Sequence, residues 1–286
     1  MTPLALIAAA AVVQPVPAGD AFAYRQAQPA AFAAELERLR AEWRERPMRF
    51  TEGGRLAQML LARDARSPDE VRRRTAELAA HRALVRSEVA DALAGRARTE
   101  WLNGRWLNRS AIARDPDARE LFRRVFADQH QLQREAPEAI AEAAAAAAFS
   151  DVRALARANA EWLKGVLARI GWFDISRYGP EASMAAWLIV QHSDHDPAWQ
   201  SAMLETLRER AARGDMQPRY LAYLVDRVAV NGGRPQTYGT QGRCVGPGDW
   251  QPHPLADAEA VDRLRAEAGL DPLASYRAQF DCTGEG

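Results

Sequence analysis

The stretch Gly179-Pro180-Glu181-Ala182-Ser183-Met184-Ala185-Ala186-Trp187-Leu188-Ile189-Val190 decides how the chain is read. Its last six residues form an unbroken apolar run, which suits either a buried strand or a helix buried on all sides. The residues in front of it settle the choice. Proline fits the first turn of a helix, where its missing N–H leaves no bond unmade, and an acidic neighbour complements the positive helix start. We read a buried helix, and that reading makes the chain all-α.

Outward from this segment the same start signals recur. Ser67-Pro68-Asp69-Glu70 combines an N-cap serine, a first-turn proline and a glutamate able to reach back to the cap, so a helix runs from there through Leu78 and Val85 to Gly95. Asp115-Pro116-Asp117 opens another before Leu121, Val125 and Phe126, and Ser150-Asp151 opens one that passes Leu155, Trp162 and Leu167 to stop at Gly171. Asp196-Pro197 begins the next, ending at Gly214. Gln217 to Val230 carries Leu221, Leu224 and Val228 on one stripe and closes at Asn231-Gly232-Gly233. Short helices over 257–268 and 272–280 finish the chain. The predicted architecture is a multi-helix bundle: an N-terminal helical module over 24–134, an alanine connector at 143–148, and a C-terminal helical module over 150–282 with one long functional loop at about 231–256.

Composition narrows the function classes. Across 286 residues, 38 Lys+Arg balance 38 Asp+Glu, so there is no basic field to hold a polyanion and a nucleic-acid partner is not expected. Leu4 to Val13 is an apolar run of the length of a secretory h-region, too short to span a bilayer. It predicts a signal peptide over 1–23, with small residues allowing cleavage near 18 or near 23. The mature protein is then periplasmic or secreted and has no transmembrane segment. The two cysteines, Cys244 and Cys282, lie in loop-like segments, and a disulfide between them agrees with export.

The densest polar cluster, Gln191-His192-Ser193-Asp194-His195-Asp196, follows the most apolar helix directly. Polar groups at the end of a buried segment must pair or meet water. Helical spacing would let His192 share a metal ion with His195 or Asp196, though further ligands are not evident. A Ser-His-Asp triad fails, because adjacent side chains point apart and Ser193 cannot be activated by His192. In the structural alternative Asp196 caps the next helix and His192 bonds a carbonyl or Asp194. A second cluster joins Asp226-Arg227 to the loop Gln236-Thr237-Tyr238-Gly239-Thr240-Gln241, whose long and hydroxyl-bearing side chains surround one glycine.

The ordered set His192-x-Asp194, Asp226-Arg227, Gln236-x-Tyr238-Gly239-Thr240-Gln241, Asp262-x-x-Arg265 and Gly269-Leu270 resembles a bacterial family classed as a domain of unknown function. The resemblance spans about 171–276 and implies a mostly helical fold without an assigned activity. It also implies that His192, Asp194, Asp226, Arg227, Gln236, Tyr238 and Gln241 form one pattern, with His195 and Asp196 outside it.

Two functions compete for that pattern. In a hydrolase or transferase, His192 is general acid or base oriented by Asp194. Arg227, held by Asp226, then presents its fork to a substrate carboxylate or phosphate. Tyr238, Thr240 and Gln241 orient the ligand, and water attacks. No cofactor is evident. In a binding or structural module the same residues form a satisfied buried network. The expected partner is a small molecule or a cell-wall-derived ligand, for which Trp101, Trp106 and Trp250 are candidate aromatic platforms, although tryptophan is more often core.

Overall fold

The computed structural model describes residues 20–45, 52–96 and 115–282, so the apolar segment 4–13 and the tryptophans Trp101 and Trp106 lie outside the described residues. Twelve α-helices are present among them: α1 (Ala21–Ala27), α2 (Pro29–Glu45), α3 (Gly53–Arg63), α4 (Pro68–Leu93), α5 (Pro116–Gln133), α6 (Ala141–Ile170), α7 (Ile175–Tyr178), α8 (Pro180–Gln191), α9 (Pro197–Ala212), α10 (Pro218–Asn231), α11 (Val261–Glu267) and α12 (Leu273–Arg277). The apolar run Ala185–Val190 lies on α8, where eight of the twelve residues are buried. Its companions keep their sequence-read starts. Ser67 accepts from the Glu70 amide at the head of α4, the Glu70 carboxylate accepts in turn from the Arg66 amide, and Asp115 accepts from the Ala118 amide at the head of α5.

One helix begins earlier than its sequence suggests. Ser150-Asp151 is not a start, because α6 runs unbroken from Ala141, and Ser150 instead bonds the Ala147 carbonyl within it. The alanine tract is therefore the first half of a rigid 30-residue helix. That half packs Ala143, Ala144, Ala146, Ala147 and Phe149 into a core with α1, α2 and α3. Its second half places Leu163 and Val166 in the core formed with α5, α7, α8, α9 and α10. Small side chains allow close approach: a Cβ added at Gly53 of α3 would collide with the Ala146 carbonyl.

The long loop after α10 contains a hairpin that the all-helical reading omits. Strands β1 (Gly242–Gly246) and β2 (Asp249–Pro252) pair antiparallel, with an irregularity between Cys244 and Gly246. Trp250 on β2 is core, not an exposed platform: it is 5% exposed and stacks on Phe280 at 4.5 Å. Cys244 and Cys282 form a disulfide with Cα atoms 5.6 Å apart, which ties the hairpin to the C-terminal segment. Closing a loop of 38 residues stabilises by about 3 to 4 kcal/mol through the unfolded chain. Reduction should lower the denaturation midpoint accordingly, and equal midpoints in oxidising and reducing buffer would show that the bridge adds nothing to global stability.

Candidate functional site

The site begins where α8 ends. Helix α8 needs partners for its last carbonyls, and Gln200 on α9 supplies them, donating from Nε2 to the carbonyls of Val190 (3.0 Å) and Gln191 (3.2 Å). Ser193, fully buried, donates its hydroxyl to the Ile189 carbonyl at 2.6 Å and so is no nucleophile. Asp196 caps α9 by accepting from the Trp199 amide at 3.0 Å, and its second oxygen accepts from Lys164 at 2.8 Å. The Lys164 hydrogen bond holds the Asp196 carboxyl below the usual carboxylate range.

Asp194 does not orient His192. It faces α10, where Arg227 grips it with two bonds, Nε to Oδ1 at 2.9 Å and Nη2 to Oδ2 at 2.7 Å. Asn231 and Gln200 donate to its Oδ1 at 2.8 and 3.1 Å. Burial by itself raises the Asp194 pKa. The Arg227 charge and hydrogen bonds, with Gln200 and His192, outweigh burial and leave it lowered.

His192 turns instead to α5, where its Nδ1 lies 2.7 Å from Oδ2 of Asp128. Asp128 is buried, and its side chain is 4% exposed against 18% for His192. Nε2 of His192 has no hydrogen-bond partner among the described residues. A carboxylate behind Nδ1 orients the ring and favours the tautomer with the proton on Nδ1, which leaves the Nε2 lone pair as an acceptor. Asp128 was legible in principle: it falls at i+7 from Leu121 and i+3 from Val125, on the buried stripe of α5, where a carboxylate needs a partner.

Asp226 and Arg227, the expected pair, also separate. Neighbouring residues on a helix do not face each other. While Arg227 meets Asp194, the fully buried Asp226 points at the loop. It accepts from the amides of Thr237 (2.8 Å), Tyr238 (2.9 Å) and Thr240 (2.8 Å) and from the Thr240 hydroxyl (2.9 Å). Gln236, also fully buried, donates to the carbonyls of Gln241 (2.7 Å) and His253 (2.8 Å) and accepts from the Gln241 amide (2.9 Å). Gln241 donates to the Thr240 hydroxyl at 3.1 Å. Arg265, 1% exposed, braces the turn by donating to the Tyr238 carbonyl at 2.6 Å. Gly239 takes φ +66° at its apex, a conformation that a side chain would strain. The Tyr238 phenol is raised in pKa by burial and by the charges of Asp226 and Glu267, with Arg208 opposing them.

The predicted residues therefore fall into two networks. One is the His192–Asp128 pair beside Asp194–Arg227, where Asp194 feels the His192 charge. The other is the closed knot of Asp226, Gln236, Thr240 and Gln241. His195, lowered in pKa by burial and by Arg157, joins neither. His192 and Asp196 are held by different partners, and no group of three or more His, Cys, Asp or Glu among the described residues is placed to hold a metal ion.

A family model described as a family of unknown function, DUF6624, matches residues 116–284. The chain belongs to this family. The match starts at the first residue of α5, so it takes in Asp128 and the whole of α6 as well as the motifs over 171–276. No curated protein and no solved structure matches the chain.

Proposed function

We propose that His192 is the general acid or base of a hydrolase or transferase, with Asp128 in the role that the sequence gives to Asp194. The observation that carries this is the 2.7 Å contact to a buried carboxylate combined with an unpartnered Nε2. In the hydrolase form Nε2 takes a proton from water as its oxygen bonds to the electrophilic atom of the substrate, Asp128 stabilises the imidazolium, and Nε2 returns that proton to the leaving group as the scissile bond breaks. Arg227 is a positioning residue: its Nε and Nη2 edge is spent on Asp194, so only Nη1 is left to meet a ligand. Thr240 and Gln241 are taken up by the Asp226 and Gln236 knot, and the Tyr238 amide with them, so this reading gives the three no part in the chemistry. The ligand is a small molecule, and one released from the cell wall fits an exported protein.

Export itself is part of the proposal. The Cys244–Cys282 bridge supports it, and no described helix is long and apolar enough to cross a membrane. Cleavage near 18 is the favoured site. Cutting near 23 would remove Asp20, whose side chain accepts from the Ala23 amide and caps α1.

The second reading, a non-catalytic module, draws on the closure of the Asp194 and Asp226 networks within the protein. Turnover separates the two. A panel of chromogenic carboxyl ester, amide, phosphoester and glycoside substrates should contain one that the wild type turns over and that His192→Ala turns over at least about 10²-fold more slowly, at an unchanged melting temperature. Equal rates, or no turnover of any class by the wild type, would leave the module reading standing.

A further inference from the structure

The inner side of α4 is set by Leu78, Val85, Val89 and Ala92, which are buried, and by Arg82 and Glu88, which reach Asp151 of α6 and His130 of α5. A surface helix ordinarily carries its charges on the opposite side. On α4 the opposite side reads Ala76, Ala80, Ala83, Ser87 and Ala90, with Ala94 at the cap, and all six are exposed. The steps between them are four, three, four, three and four residues. That is the spacing of a coiled-coil seam, which keeps one stripe of a helix in contact with a neighbour along its length. Leu84 flanks the stripe at 46% exposure, and with Val245 it is one of two large apolar side chains left open to solvent among the described residues.

Small residues on a seam show only that another helix can come close; the charges beside it show which helix fits. With Ala80 and Ser87 as heptad positions a, and Ala76, Ala83 and Ala90 as d, the flanking g positions are Arg72, Ala79 and Arg86 and the flanking e positions are Glu77, Leu84 and Asp91. In a parallel pair of such helices each g residue meets the e residue five places further along the other chain. A second copy of α4 laid parallel therefore sets Arg72 against Glu77, Ala79 against Leu84 and Arg86 against Asp91, and the twofold symmetry repeats each contact. An antiparallel copy would range the acidic e side against itself and the arginine g side against itself. Arg73, at the seam position before Ala76, closes the apolar stripe at its N-terminal end.

The four charged groups have bonding capacity left for this. Glu77 has no hydrogen bond or ion pair among the described residues, and Arg72 gives only Nη2 to Asp69. Arg86 spends Nε and Nη2 on Asp151 and keeps Nη1, while Asp91 spends Oδ1 on Arg96 and keeps Oδ2. The helix is also already built and held by α5 and α6, so association need not pay for folding it.

We infer that the outward face of α4 is a docking surface for a second copy of this chain, which lays its own α4 against it parallel and in register. The surface lies ahead of residues 116–284, in the part of the chain that the family match does not reach.

Sedimentation velocity of the whole protein, in a concentration series reaching about 200 μM, tests it. A shift from monomer to dimer with rising concentration is expected. Ala83→Glu, at an exposed seam position, sets two acids face to face and should leave a monomer throughout the series with helix content unchanged. Glu77→Arg turns two attractive pairs into repulsive ones and should weaken the dimer about tenfold, and adding Arg72→Glu should restore it. Equivalent a positions face each other in a parallel pair, so Ser87→Cys should cross-link to its own copy in oxidising buffer, and Ala83→Glu in the same chain should prevent this. A wild type that stays monomeric would overturn the surface, as would an undiminished dimer in Ala83→Glu. Failure of Arg72→Glu to rescue Glu77→Arg, or of Ser87→Cys to cross-link, would overturn the parallel register.

Discussion

Asp226→Ala is expected to destabilise the protein by about 4 kcal/mol, because one buried carboxylate satisfies three loop amides and a hydroxyl, and its loss strands donors in a dry site. For a chain of this size that is a fall of about 7 °C in melting temperature. Asp226→Asn should lose less. Its oxygen at the Oδ1 position still accepts from Thr237 and Tyr238, but its amide nitrogen faces the Thr240 N–H, donor against donor. Hydrogen exchange gives the sharper measurement. In Asp226→Ala the amides of Thr237, Tyr238 and Thr240 should exchange well before those of α8 and α10, since the knot opens locally. Exchange of all three at the global rate, with the melting temperature unmoved, would mean that Gln236 and Arg265 hold the loop alone.

The reason that so much rests on Asp226 also explains how far the sequence could be read. Helix starts are local events, set by a first-turn proline with a capping side chain or an acid beside it, so α4, α5, α8 and α9 could be placed from short windows. The start of α6 could not, because Ser150-Asp151 mimics a cap. Asp151 in fact serves Arg82 and Arg86 on another helix, a contact that only the tertiary fold reveals. The hairpin hides for a different reason: strands of five and four residues carry too little alternation, although Pro247-Gly248 marks their turn. In the candidate site the motifs name residues but not their pairing. The motif order gave His192, Asp194, Asp226 and Arg227, but sequence neighbours are poor guides to side-chain partners. His192 passes over Asp194 for Asp128, and Arg227 passes over Asp226 for Asp194.

Arg227→Ala should cost about 3 to 5 kcal/mol at neutral pH, since it leaves Asp194 buried and facing only the amides of Gln200 and Asn231. The dependence on pH separates this from a simple packing loss. In the wild type Asp194 has a lowered pKa despite its burial. Its ionisation therefore stabilises the fold above the unfolded carboxylate pKa, and that contribution is lost as pH falls through the folded value. Without Arg227 the two strongest opposing causes vanish and burial dominates, so the Asp194 pKa should move above its unfolded value. The charge then destabilises the variant at neutral pH, and protonation relieves it in acid. Denaturation of both proteins from pH 7 down to pH 4 should accordingly show the stability gap closing by more than half, as the burial of an unpaired charge is relieved. A gap that stays constant across that range would mean that Arg227 contributes through the packing of its stem, and that Asp194 finds compensation elsewhere when the guanidinium is removed.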